Sequence, residues 1–144
     1  MTIANAQLEM HKGEVERALT MLRAIQTSSA HYNAARRVMA ELYLNYRNDE
    51  RAYAQCHEEL VRANPTTHSF VMLGEAYMKI NEADKAIAAF ESALRKSPGD
   101  ASLASRIGKV LVTTHEYVKA IEYYSTAVHS DPTKQALRCD SPQP

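Results

Sequence analysis

The chain has 144 residues, the size of one ordinary domain, and its 17 Lys+Arg balance 17 Asp+Glu, so no net charge draws it toward nucleic acid or anionic lipid. With 45% hydrophobic and 24% charged residues but only 4 Gly and 5 Pro, the composition is that of a folded, soluble, helical protein rather than a loop-rich all-β one. The longest apolar run, Ala86 to Phe90, falls far short of the roughly 20 residues a membrane-spanning helix needs, and no basic leader opens the chain. Two cysteines, Cys56 and Cys139, are too few for a disulfide framework or a zinc site, so a reducing cytosolic setting is expected.

A period of 34 residues organises the predicted elements: Ala18, Ala52, Ala86 and Ala120 share it, as do the pairs Gly74 and Gly108, Phe90 and Tyr124, Ala93 and Ala127, and Pro98 and Pro132. The units run 1–32 (truncated at its start), 33–66, 67–100 and 101–134, with a disordered tail expected at 135–144. Apolar residues three and four apart divide each unit into two amphipathic helices. The first unit is predicted to hold helices over 1–11 and 14–27, separated at Gly13-Glu14. The second holds 31–46 and 49–63 around Asn48-Asp49; Met39, Ala40, Tyr43 and Ala52 fit the frame, but Cys56 stands where an aromatic belongs and Glu59 where a small residue belongs. In the third, 67–80 and 83–96 flank Asn81-Glu82, with Phe70, Leu73, Gly74 and Tyr77 facing Ala86, Phe90 and Ala93; Pro98-Gly99 ends the unit and Asp100 caps the next. The fourth, 101–114 and 117–130, carries Ile107, Gly108, Leu111, Ala120, Tyr124 and Ala127, and Pro142 and Pro144 favour an extended tail after it. Gly74 and Gly108, with Ala6 and Ala40 in equivalent places, let the second helix approach closely while Phe90 and Tyr124 fill the space beside them.

Chemistry is not indicated. The histidines His11, His31, His57, His68, His115 and His129 form no HExxH arrangement and no i, i+4 pair, and the glycines form no phosphate loop. Cys56 and His57 are neighbours in sequence, but adjacent residues of a helix point apart, and Cys56 in a core column behaves as a small hydrophobe. Tyr43, Tyr77 and Tyr124 occupy core columns, so they read as packing rather than as a base-stacking surface. No enzyme activity, cofactor, metal, nucleic acid, small-molecule substrate or membrane insertion is therefore expected.

The residues Phe70, Leu73, Gly74, Tyr77, Ala86, Phe90, Ala93 and Pro98 resemble the tetratricopeptide repeat, which implies an all-α, right-handed solenoid of helix pairs with about four repeats. Such stacks curve, with the first helix of each unit on the concave side. That projection places Arg37, Glu41, Glu75, Lys79 and Lys109 on a candidate partner surface of mixed sign. Two readings stay open for it, a solvated face and a groove for a peptide. The carboxylate clamp by which chaperone-binding relatives of this fold hold chaperone tails is broken here, because Glu41 and Met72 stand where asparagines are needed.

The string Leu73-Gly74-Glu75-Ala76-Tyr77-Met78, then Leu103 to Lys109, Thr114-His115 and Lys119 to Tyr124 is similar to the tetratricopeptide-repeat-21 family, a subunit of intraflagellar transport complex A. The resemblance covers an internal or truncated segment of such a subunit. It implies a noncatalytic scaffold acting in retrograde ciliary transport and ciliary cargo entry, at the cilium or flagellum and in the cytoplasm at its base, with other complex A subunits as partners. A free-standing adaptor binding a peptide in its concave groove is the alternative. A segment of a longer solenoid leaves its last helix uncovered, so Ile121, Tyr124 and Val128 are expected to form an exposed end of the stack.

Overall fold

Side chains repeating three and four apart wind into helices throughout this computed structural model, which describes residues 2–130; the expected tail at 135–144 lies outside them. Among the described residues there are eight helices and no strand: α1 (Thr2–His11), α2 (Val15–Arg23), α3 (Tyr32–Tyr46), α4 (Glu50–Ala63), α5 (Thr67–Lys79), α6 (Ala83–Lys96), α7 (Ala101–Thr113) and α8 (Tyr117–Ser130). The chain divides into two compact units between Pro65 and Thr66. In the first, α1 packs on α2, α2 on α3 and α3 on α4; in the second, α5 packs on α6, α6 on α7 and α7 on α8.

The predicted boundaries differ appreciably from the observed ones only at the end of α2, which stops at Arg23 instead of running to 27. There the N–H of Ile25 bonds back to the Leu22 carbonyl and that of Ser29 to the Gln26 carbonyl, tightening the chain into turns. Thr27, Ser28 and Ser29 are side chains that compete with a helical backbone for its hydrogen bonds.

Each helix pair is sealed in one way. Gly13, Asn48, Asn81 and His115, one in every hairpin, take left-handed backbone angles with φ of 85°, 51°, 62° and 63°. In three of the hairpins the next N–H reaches back to the carbonyl five residues earlier: Glu14 to Glu9, Glu82 to Tyr77 and Glu116 to Leu111, at 2.8–2.9 Å. The left-handed residue bonds three back, Gly13 to Met10, Asn81 to Met78 and His115 to Val112. These are Schellman closures, which satisfy carbonyls that the end of a helix would otherwise leave without donors. At the second hairpin the corresponding bond, Asp49 to Tyr43, spans one residue more.

Helix starts are fixed by side chains. The carboxylate of Asp49 accepts from the Ala52 N–H, and Thr66 and Ser69 form a reciprocal capping box. Asp100 caps α7 by accepting from the Leu103 N–H at 3.0 Å. Asp100→Ala is expected to destabilise the second unit by about 1 kcal/mol, read as a lower denaturation midpoint at unchanged slope. An unchanged midpoint would mean that α7 is held entirely by its packing.

The close approach of paired helices rests on size alternation. A methyl group built on Gly74 would lie 2.5 Å from Cε1 of Phe90, and one on Gly108 would lie 3.0 Å from the Tyr124 ring. Phe90 is 1% exposed and, with Leu19, Leu22, Leu42, Ile107 and Leu111, belongs to the largest fully buried side chains. In the first unit the equivalent pairs are Ala6 with Leu22 and Ala40 with Cys56, all buried.

Candidate functional site

The candidate partner residues are carried by the exposed sides of first helices. Arg37 and Glu41 stand exposed on α3 in the first unit, and Glu75, Lys79 and Lys109 stand exposed on α5 and α7 in the second. Glu75 already has a partner: Arg106 of α7 donates to its Oε1 at 2.5 Å, and the same guanidinium lies 5.8 Å from the Phe90 ring centre. The pair ties α5 to α7 across the surface. Being solvated, such a pair contributes little stability.

At the last described helix the three expected exposed residues separate. Ile121 is 65% exposed, but Tyr124 is half-buried because its ring fills the space that Gly108 leaves, and Val128 is half-buried as well. Tyr124 therefore belongs to the packing of its own hairpin rather than to an uncovered face. The apolar side chains that do accompany Ile121 in solvent are Tyr117 and Val118. Tyr123 turns the other way and donates its hydroxyl to Glu91 of α6 at 2.6 Å. Burial, and then that bond to a carboxylate, push its phenol up to about 12.

Cys56 and His57 are both buried, and the His57 ring meets Tyr53 edge-on at 5.0 Å. Burial first, and then the negative charge of Glu59, push the Cys56 thiol from its ordinary 9.0 up to about 12. A nucleophile needs the opposite shift. Iodoacetamide at neutral pH should leave Cys56 unmodified in the folded chain and label it only after denaturation, as read by mass spectrometry of its peptide. Rapid labelling of the folded chain would place the thiol at the surface. Because the unfolded thiol ionises near its ordinary value and the folded one near 12, its contribution to stability is present below about pH 9 and is lost as the pH rises toward 12.

Glu59, the second departure of the second repeat from the pattern, adjoins Cys56 on a cleft of about 330 Å3 between α2, α3 and α4. Arg36 of α3 pairs with it at 2.9 Å and lies 4.9 Å from the Tyr32 ring centre. Arg23 of α2 closes another side, donating to the Tyr43 hydroxyl at 2.5 Å. Sequence reasoning missed Arg23 and Arg36; the signal was the paired departures at Cys56 and Glu59, which remove an aromatic and add a charge on neighbouring turns of α4. Among the described residues no group of three or more His, Cys, Asp or Glu is placed to hold a metal ion, and no helix is long and apolar enough to cross a membrane.

Paired helices with a small residue facing a large one, a left-handed closure in every hairpin and a 34-residue period define an all-α tetratricopeptide repeat protein. The tetratricopeptide repeat family model matches residues 67–100. Two solved structures share the solenoid fold: MamA, with a TM-score of 0.64 and 20% identity over 99% of this chain and 78% of that one, and YrrB, a tetratricopeptide protein with an unusual peptide-binding site, with a TM-score of 0.57 and 18% identity over 98% and 78%. Two models of tetratricopeptide repeat protein 21, its ARM repeat and its fourth ARM domain, match residues 1–60 and 103–142. Mouse tetratricopeptide repeat protein 21B is 45% identical over 90% of the chain, human tetratricopeptide repeat protein 21A 46% over 88%, and the Caenorhabditis elegans homologue 40% over 90%. The chain belongs to the tetratricopeptide repeat protein 21 family. It spans about 10% of the length of these relatives.

Proposed function

We propose that this chain is a noncatalytic scaffold segment of intraflagellar transport complex A, working in retrograde ciliary transport and in the entry of membrane-protein cargo. On this reading it resides in the cilium or flagellum and in the cytoplasm at its base, and other subunits of the complex are its partners. The supporting observation is the level of identity. Solved structures of the same fold share 18–20% of their residues with this chain, whereas members of the family share 40–46% over about nine-tenths of it. The surplus exceeds what helix-pair packing demands, and binding surfaces are where a repeat architecture places such constraints.

Not every residue that carries the resemblance supports this equally. His115 takes the left-handed position of its hairpin and Tyr124 fills the gap at Gly108, so both serve the fold. The exposed charges on the first helices are the better candidates for contact. The test is expression of the tagged chain in ciliated cells, followed by co-precipitation and imaging. Co-precipitation with complex A subunits and enrichment at the ciliary base are expected, with both weakened by joint charge reversal of Arg37, Lys79 and Lys109. A chain that stays diffuse and captures no complex A subunit would overturn the proposal. Unaltered capture by the triple variant would move the contact away from the first helices.

A further inference from the structure

We propose that the cleft between α2, α3 and α4 binds an acidic side chain of a partner protein segment, held by Arg23 and Arg36. The cleft is lined by Arg23 of α2, by Arg36 and Tyr43 of α3, and by Gln55, Cys56 and Glu59 of α4. At about 330 Å3 it sits at the lower end of the range occupied by small-molecule pockets, which suits one or two side chains better than a large ligand.

Its walls are rich in donors. Arg36 gives one guanidinium nitrogen to Glu59 at 2.9 Å, while its Nε is buried without a hydrogen-bond acceptor. A buried donor without an acceptor is costly, and a carboxylate that reaches it removes that cost. Arg23 points an exposed guanidinium at the same space, held against the Tyr43 hydroxyl; that hydroxyl accepts from Arg23 and keeps its own proton to donate. Gln55 adds an amide at the rim. Glu59 is the one carboxylate lining the cleft and is already paired with Arg36, so two guanidinium groups face one negative charge.

The fold does not impose this sign. Two periods further along the chain, the corresponding cleft between α6, α7 and α8 has Glu91 in the place of Arg23 and Tyr123 in the place of Gln55, and it is also lined by Asp84, Glu116 and Glu122 against Lys119. The same helix-pair geometry is thus basic in one unit and acidic in the other. A positive site with an unused buried donor selects a carboxylate, and the arginine fork favours it over a neutral amide. Neither Arg37 nor Glu41 lines the cleft, so it is separate from the exposed first-helix faces and does not depend on the ciliary assignment.

The test is fluorescence anisotropy of the full chain with a labelled Gly-Ser peptide carrying four consecutive glutamates, alongside its glutamine counterpart. Saturable binding of the acidic peptide alone is expected, weakened about tenfold or more by Arg23→Glu and by Gln55→Glu. Both substitutions are at exposed positions, and circular dichroism checks that the helices remain. Lys85→Glu, the same charge change on α6, should leave the affinity within about twofold and so separates the cleft from bulk electrostatics. Absence of binding up to about 1 mM peptide, or equal affinity in the parent and Arg23→Glu, overturns the proposal. Inorganic phosphate that binds more tightly than the peptide and displaces it would assign the cleft to a free anion and overturn it equally.

Discussion

Phe90→Ala is expected to cost about 3–5 kcal/mol, the largest loss of any single side-chain truncation in the second unit. The ring is 1% exposed and lies between the backbone of Gly74 and the guanidinium of Arg106, so its removal opens a cavity beside a glycine that has no side chain to fill it. For a chain of this length the loss should lower the melting temperature by on the order of 10 °C, as read by circular dichroism. A melt within about 2 °C of the parent would show that the α5–α6 crossing does not depend on the ring.

The second large effect is at the facing position, where two contributions oppose each other. Alanine is favoured over glycine inside a helix by about 1 kcal/mol. At Gly74, however, the new methyl would stand 2.5 Å from a buried ring that has nowhere to swing, and overpacking of this kind costs about 1–3 kcal/mol. The contact is so short that the upper end applies, and Gly74→Ala should lose a net 1–2 kcal/mol, roughly. Gly108→Ala meets the Tyr124 ring at 3.0 Å, and that ring is half-exposed and free to give way, so the two contributions nearly cancel. Denaturation of both variants tests the order. Equal stability of the two would mean that Phe90 yields as readily as Tyr124. Combining Gly74→Ala with Phe90→Leu should recover part of the loss, the coupling expected of residues in contact.

The glycine-aromatic crossings and the helix boundaries were legible in the sequence because both follow from local rules, a 34-residue period and apolar residues three and four apart. Asp100 was legible as a cap for the same reason, being a short carboxylate just before a periodic segment. The early end of α2 was not, since no glycine or proline stands there and the stop comes from a run of hydroxyl side chains. The candidate surface was legible only as a set of exposed positions. The pairing of Glu75 with Arg106 joins residues on different helices, and the charge signs along one helix do not reveal it. Tyr124 was misplaced for a related reason: its column says that it faces inward on its own hairpin, but not how much of the ring Gly108 takes up. The basic cleft lay furthest from reach. Cys56 and Glu59 were visible as departures, yet that Arg23 and Arg36 meet beside them depends on how α2 and α3 cross α4.

The Schellman closures have a consequence for how the chain reaches this structure. Each hairpin is completed by bonds between residues five or six apart, and within each unit the two hairpins that are neighbours in sequence pack on each other. No pairing of distant strands has to be found, so little loop entropy is lost before contacts form, and contact order is low. Within each unit, refolding should run on the microsecond-to-millisecond scale of helical bundles, and any hairpin can form first. The side chains at the left-handed positions act against this speed. Asn48, Asn81 and His115 each resist their backbone angle by about 1 kcal/mol where Gly13 does not, a cost that falls on closing the hairpins rather than on forming the helices.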